Sequence, residues 1–212
     1  MDSSPQRVRV LLETGKPPDI PLKRDGLEKE YMSAENALSS PDSLLASYLS
    51  EHELTGLTLL TGPSGCGKTR LCEALAERAR EAGLSIGGIL CPAVFEGGRK
   101  VGIDQMDLAS GERKRLAVRC DGAGTVGCWR IDARVIAWGN RIIASLKGED
   151  LIIIDELGPL EFESGGGYRQ ALRLLDEGRY RVALVVVRPA LLPLAHLRWP
   201  QAVTLTPGPV AP

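Results

Sequence analysis

The feature that most constrains this chain of 212 residues is a glycine-rich segment between a short apolar run and an amphipathic stretch. It matches G-x-x-x-x-G-K-[ST] at every fixed position; its residues are Gly62, Pro63, Ser64, Gly65, Cys66, Gly67, Lys68 and Thr69. Residues 57–61 before it predict a strand. Residues 68–82 after it predict a helix, because Leu71, Leu75 and Ala79 recur on one helical face. A strand, a glycine-rich loop and a helix in this order are typical of an anion-binding loop.

The residue types of this segment are those that phosphate binding requires. Glycines permit the φ angles at which successive backbone N–H groups turn towards an anion, and the start of the helix adds its positive dipole end. We therefore expect residues 62–69 and the following Arg70 to bind the phosphates of a nucleoside triphosphate. We expect Lys68 to reach the β- and γ-phosphates and the Thr69 hydroxyl to be a ligand of Mg²⁺.

A second apolar run, residues 151–154, ends in two adjacent carboxylates, Asp155 and Glu156. In proteins with such a phosphate loop, an Asp at the end of a neighbouring buried strand holds the Mg²⁺ shell. Asp155 is therefore the second predicted metal ligand, with Thr69. Glu156 is the predicted general base, which polarises a water molecule in line with the γ-phosphate, and Lys68 is the other predicted catalytic residue.

The other periodic segments predict an α/β fold. Apolar strands at 85–91, 151–154 and 182–187 alternate with helices over 131–146 and 168–177. Apolar strands joined by crossover helices favour a mostly parallel sheet with helices on both faces. Residues 93–118 predict antiparallel hairpin strands with glycine turns, inserted into this plan.

Residues 1–45 differ from the rest, because five prolines interrupt them and their apolar periodicity is poor. We interpret them as an N-terminal appendage and a candidate segment for binding a protein partner; packing on the main domain and partial disorder both stay open. Residues 46–212 are then the main domain.

Composition excludes several classes of protein. With 26 basic and 27 acidic residues, the net charge of -1 argues against nucleic acid or an anionic membrane as the main partner. No apolar run approaches the roughly 20 residues of a membrane span, and the N-terminus lacks a signal-peptide pattern, so we predict a cytoplasmic protein. The five cysteines include no C-x-x-C pair, which indicates reduced thiols rather than a zinc site.

The order of these motifs resembles the P-loop nucleoside triphosphatases of the archaeal, bacterial and eukaryotic cancer-related type. The resemblance covers about residues 57–190, and it is carried by residues 62–69, by residues 155–161 and by the stretches 97–103 and 107–112. It implies a RecA-like core and slow, Mg²⁺-dependent hydrolysis of several nucleoside triphosphates, ATP and GTP among them, with weak base preference. One stretch departs from the family, which often has a Thr-x-Glu-Val-Arg-like segment where residues 91–95 here read Cys-Pro-Ala-Val-Phe.

The residues leave three functions open: hydrolysis of the β–γ bond, a nucleotide-gated interaction module that slow hydrolysis resets, and a kinase that phosphorylates a small acceptor. A carboxylate at Glu156 favours hydrolysis over the kinase.

Two further side chains have alternative interpretations. Arg188 either senses the γ-phosphate or pairs with a carboxylate, and Glu161 either supports the water-positioning group or is a surface glutamate.

Overall fold

A computed structural model describes residues 56–120 and 129–207 of the chain. The appendage predicted at residues 1–45 lies outside these residues, so its boundary, its packing and its role in partner binding stay predictions. The described residues form, in chain order, β1 (Gly56–Leu60), α1 (Lys68–Glu81), β2 (Ile86–Leu90), β3 (Ala93–Glu96), β4 (Arg99–Asp107), β5 (Arg113–Arg119), β6 (Trp129–Ile131), α2 (Ala133–Ala144), β7 (Leu151–Leu157), α3 (Pro159–Phe162), α4 (Arg169–Asp176), β8 (Val182–Val187), a 3₁₀ turn (Pro189–Leu191), α5 (Leu192–Arg198) and β9 (Val203–Leu205).

One mixed sheet organises these elements in the order β6-β5-β4-β2-β7-β8-β1-β9, with β3 paired to β4. The neighbours β2, β7, β8, β1 and β9 run parallel, which requires crossover connections between them. Strand β8 lies between β1, which leads into the glycine-rich segment, and β7, which carries the two carboxylates. Because these three strands are parallel, their carboxyl ends meet at one edge of the sheet.

The core lies on both faces of the parallel strands. Successive side chains of a strand point to opposite faces, so Leu59 and Ile154 pack with α2, α4 and α5, whereas Leu60 and Ile153 pack with α1. This arrangement explains why the strands are apolar without alternation. The predicted α/β fold, a mostly parallel sheet with helices on both faces, is confirmed.

The predicted antiparallel insertion is also confirmed. Strands β3, β4, β5 and β6 pair antiparallel to one another, and β4 joins the insertion to the parallel strands by pairing antiparallel to β2. Helix α2 covers this part of the sheet by packing against β2, β4 and β5.

A glycine sets the distance between β2 and β7. Gly88 has a φ angle of 110°, and a Cβ at this position would collide with the carbonyl oxygen of Ile153 in β7. Gly88 therefore allows close pairing of the two strands, which brings the end of β2 next to Asp155.

Three short elements were not predicted: β6, α3 and α5. Residues 189–198 form helical turns although they contain two prolines. Pro189 and Pro193 occupy the first turns of the 3₁₀ turn and α5. Proline is tolerated there because the first N–H groups of a helix have no intrahelical acceptor.

Candidate active site

The glycine-rich segment forms a tight loop between β1 and α1. Gly62, Gly65 and Gly67 have φ angles of 143°, 82° and 94°, values that other residues rarely adopt. A Cβ at Gly62 would lie 2.9 Å from the Sγ of Cys66, so this position also requires glycine because the loop closes on itself. The loop ends at Lys68, where α1 begins.

The backbone of the first turn of α1 is suited to an anion. The N–H groups of residues 68–70 have no intrahelical acceptors because of their position in the helix, and the positive end of the helix dipole adds to their field. The side chains of Pro63, Ser64 and Arg70 are exposed. Phosphate binding by residues 62–70 stays a prediction, and the loop has the backbone shape that it requires.

The Lys68 ammonium lies inside the curve of the loop. The residue is buried, with 9% of its surface exposed, and its Nζ donates hydrogen bonds to the carbonyl oxygens of Gly62 (2.7 Å) and Pro63 (2.8 Å). These bonds connect the two ends of the loop. They also hold a positive charge where the predicted phosphates would bind.

Asp155 is buried beside the start of α1. Only 3% of its surface is exposed, and its carboxylate accepts hydrogen bonds from the Thr69 side chain and from the Cys91 N–H (3.2 Å). Desolvation by burial raises the pKa of this carboxyl from 3.8 to about 6, and the charge of Glu156 acts in the same direction. The two hydrogen bonds and the charge of Lys68 lower the pKa, but desolvation outweighs them. The structure thus brings together Lys68, Thr69, Asp155 and Glu156.

These side chains fit a magnesium ion. The described residues contain no cluster of three or more His, Cys, Asp or Glu side chains that could hold a metal by itself. Mg²⁺ in nucleotide sites prefers few protein oxygens, because it keeps water molecules and substrate phosphates as ligands. The Thr69 hydroxyl and the Asp155 carboxylate, in hydrogen-bond contact, supply oxygen donors of that kind.

Glu156 lies at the edge of this buried group. Its side chain is 29% exposed, and its Oε1 accepts a hydrogen bond from the Nε of Arg188 at 2.5 Å. Arg188 directly follows β8, and its side chain is 61% exposed. Of the two interpretations of Arg188, the structure shows the carboxylate pair.

Glu161 is not a surface glutamate. It is 6% exposed, and its two carboxylate oxygens accept hydrogen bonds from the backbone N–H groups of Gly158 and Tyr168, each at 2.7 Å. A Cβ at Gly167 would collide with this carboxylate. Glu161 therefore joins the two ends of the segment between β7 and α4.

A buried polar pair lies behind this segment. The Tyr168 hydroxyl lies 2.7 Å from the side-chain amide of Gln105. With the amide oriented to satisfy all its groups, its nitrogen donates to the Val135 carbonyl and to Tyr168, and its oxygen accepts from the Gly139 N–H. Burial raises the pKa of Tyr168, so this hydroxyl stays neutral.

The sequence left two roles open for Glu161, and it did not single out Gln105 or the N–H of Cys91. The signal for Glu161 was present, because a proline at the first helical position and a glutamate two residues later are typical of a helix start. Gln105 had a weaker signal, as one uncharged polar side chain in a strand that it shares with Val101, Ile103 and Met106. The contact between Cys91 and Asp155 is made by a backbone group, which the residue type does not reveal.

Within residues 56–120 and 129–207, no helix combines the length and the apolar character needed to cross a bilayer. The four cysteines in these ranges, Cys66, Cys72, Cys91 and Cys120, are free thiols.

Comparison with known proteins places this site in a family. A family model described as NTPase matches residues 58–200. The nucleoside-triphosphatase THEP1 of Methanopyrus kandleri is 36% identical over 119 residues, which are 56% of this chain and 66% of that protein. The protein of the same name from Ignicoccus hospitalis is 35% identical over 130 residues, which are 61% of this chain and 74% of that protein.

A solved structure has the same fold. The solution structure of a human cancer-related nucleoside triphosphatase matches with a TM-score of 0.56 and 22% identity, over 71% of this chain and 88% of that one. At this identity the match supports the fold alone. Because the family model spans more than half of the chain and includes both the glycine-rich loop and the paired carboxylates, the protein belongs to the NTPase family.

Proposed function

We propose that the protein catalyses Mg²⁺-dependent hydrolysis of nucleoside triphosphates, ATP and GTP among them, to the diphosphate and inorganic phosphate. The observation that carries this proposal is the contact between Thr69 and the buried Asp155, with the more exposed Glu156 beside it. Membership of the NTPase family, and relatives named nucleoside triphosphatase, support hydrolysis as the reaction.

In the proposed reaction, a water oxygen forms a bond to the γ-phosphorus, while the bond between this phosphorus and the β–γ bridging oxygen breaks. The Glu156 carboxylate accepts a proton from the water, and the bridging oxygen leaves with the bonding electron pair as part of the diphosphate. Lys68 and the N–H groups of the loop hold the phosphates and stabilise their charge. A bound Mg²⁺, held by Thr69 and Asp155, would neutralise charge on the β- and γ-phosphate oxygens.

The substitution Glu156→Gln tests the role of the general base. Glutamine keeps the size of the side chain but is a poor base, so turnover should fall by a factor of roughly 10²–10⁴. The affinity of the variant for a non-hydrolysable triphosphate should be no lower than that of the parent protein. Phosphate release and calorimetry with Mg²⁺ measure the two quantities. Glu163→Gln is the matched control, because Glu163 is exposed and lies outside the proposed site. A loss of turnover below about fivefold, or ~1 kcal/mol of barrier, would remove Glu156 from this role.

Two further measurements separate hydrolysis from the alternatives that use the same phosphate site. A kinase would release phosphate slowly alone and consume triphosphate faster when its small acceptor is present, whereas a hydrolase would not respond to acceptors. A nucleotide-gated module would retain a protein partner with either the diphosphate or a non-hydrolysable triphosphate, but not with both.

We also propose that the enzyme works in the cytoplasm. The free thiols of the four described cysteines support a reducing compartment.

A further inference from the structure

The sheet places Arg188 between the phosphate loop and the proposed base. Strand β8 has β1 on one side and β7 on the other, and the three strands run parallel. The carboxyl end of β1 leads into the predicted phosphate loop, and that of β8 leads into Arg188. Glu156 lies at the carboxyl end of β7. A crevice outside the carboxyl ends of parallel strands is where ligands bind in open α/β sheets.

The partner of Arg188 in this structure is Glu156. The Nε–Oε1 distance is 2.5 Å, and in the described part of the chain this is the ion pair that Arg188 makes. A guanidinium carries five N–H donors, and this bond uses the donor at Nε. The side chain of Arg188 is 61% exposed, so its terminal nitrogens can turn towards a ligand.

The ion pair with Arg188 occupies the Glu156 carboxylate, which the proposed hydrolysis needs as its general base. While the Arg188 guanidinium donates to Oε1 of Glu156, the position that it occupies at this oxygen is closed to a water molecule. A terminal phosphate offers three oxygens and a larger charge than a carboxylate, and arginine binds phosphate through two parallel hydrogen bonds. A terminal phosphate can therefore compete with Glu156 for Arg188.

We propose that Arg188 is the residue that distinguishes a triphosphate from a diphosphate. When a triphosphate binds, Arg188 exchanges its pairing with Glu156 for the γ-phosphate, and so frees the Glu156 carboxylate for water. This inference rests on the proposed hydrolysis, whose Glu156 it regulates.

A purely structural role does not explain the pair. Ion pairs between partly exposed side chains contribute little to stability. The chain contains a matched example at the end of α4, where Arg173 of the helix and Glu177, which directly follows it, form a pair with an Nε–Oε1 distance of 2.7 Å. Arg173→Gln breaks this pair and provides the control.

The test compares affinities for Mg²⁺ with adenylyl imidodiphosphate and for Mg²⁺ with ADP, by calorimetry. Arg188→Gln should weaken binding of the triphosphate analogue about tenfold or more, the loss expected for a charged hydrogen bond, and change ADP affinity by less than about twofold. Arg188→Lys, which keeps the charge but not the planar fork, should fall between Arg188→Gln and the parent. Arg173→Gln should match the parent for both ligands.

A second comparison tests the exchange itself. Glu156→Gln removes the charge that competes for Arg188, so it should tighten binding of the triphosphate analogue by about two- to fivefold, the range for a partly exposed ion pair. The gain should disappear in the double variant with Arg188→Gln, because no guanidinium is left to be released.

The proposal is overturned if Arg188→Gln weakens both ligands equally or neither, or if the gain from Glu156→Gln persists without Arg188. These outcomes are separate from a failure of the proposed function. That failure would appear as a parent protein that binds the triphosphate but releases no phosphate, and the affinity comparisons would still decide the role of Arg188.

Discussion

Replacing Glu161 with Gln tests whether one buried carboxylate holds the segment between β7 and α4. Both carboxylate oxygens accept a backbone N–H, one from Gly158 and one from Tyr168, at 2.7 Å each. Glutamine has one carbonyl oxygen, so it can satisfy only one of these donors. Its NH₂ group must then face the other N–H, and two donors are brought together in a buried place.

The cost follows from these two bonds. One bond loses its charge assistance, which is worth about 1 kcal/mol, and the other leaves a buried donor unsatisfied, which costs about 1–3 kcal/mol. A smaller effect has the opposite sign. Burial raises the pKa of Glu161, so the ionised carboxylate carries a desolvation cost in the parent protein that the neutral glutamine does not have. We expect Glu161→Gln to lower the free energy of unfolding by about 2 kcal/mol.

Urea unfolding at neutral pH, followed by the fluorescence of the buried Trp138 and Trp199, measures this difference. Glu163→Gln is the control, because Glu163 is exposed and lies in the same segment; its effect should stay within about 0.5 kcal/mol. If Glu161→Gln destabilises the protein no more than Glu163→Gln does, the two hydrogen bonds do not hold the segment and this reasoning is wrong.

Three other substitutions have defined outcomes. Lys68→Ala should weaken triphosphate binding in calorimetry by about 10²-fold, because at least one charged hydrogen bond to phosphate is lost, while circular dichroism shows an unchanged fold. Asp155→Asn should raise the free energy of unfolding by up to about 3 kcal/mol, measured on nucleotide-free protein in EDTA at pH 7.5. The reason is that the pKa of the parent carboxyl is raised from 3.8 to about 6, so this carboxyl is ionised at pH 7.5 at a cost to the folded state. This gain should shrink as the pH falls to about 4, and an equal gain at pH 4 and 7.5 would contradict it. Asp176→Asn should cost about 0.5–1 kcal/mol at pH 7, because Asp176 accepts hydrogen bonds from Arg198 (2.8 Å) and Trp199 (3.0 Å). The pKa of Asp176 is lowered mainly by Arg198. The carboxylate therefore stabilises the fold above its pKa in the unfolded chain, and this stabilisation is lost as the pH falls through its pKa in the folded protein. Urea unfolding across this pH range should show that the cost of Asp176→Asn disappears in acid.

The local parts of the site could be predicted because short stretches of chain specify them. In residues 62–69 the glycines, the lysine and the threonine act within one loop and the first turn of one helix, so their spacing alone predicts the shape of the loop. The strand before Asp155 was equally clear, since four successive apolar residues indicate a strand buried on both faces. Asp132 is a residue of the same local kind, because aspartate is a preferred N-cap, and its carboxylate accepts a hydrogen bond from the Arg134 N–H at 2.8 Å at the start of α2.

The shorter elements were less predictable. Strand β6 has three residues, too few to show a period, and it forms because β5 provides a partner. Residues 189–198 form helical turns although two prolines lie in them, and only their packing against the core through Leu191 and Ala195 decides this.

The sequence by itself determined that the chain has a glycine-rich loop between a strand and a helix, a carboxylate pair at the end of a buried strand and an α/β fold. The tertiary structure decided the order of the strands, and with it which distant residues meet. Thr69 reaches Asp155, and Arg188 reaches Glu156, because β8 lies between β1 and β7. Each parallel strand has the same apolar pattern in any position of the sheet, so local sequence cannot specify its neighbours; the packing of the whole core selects one order.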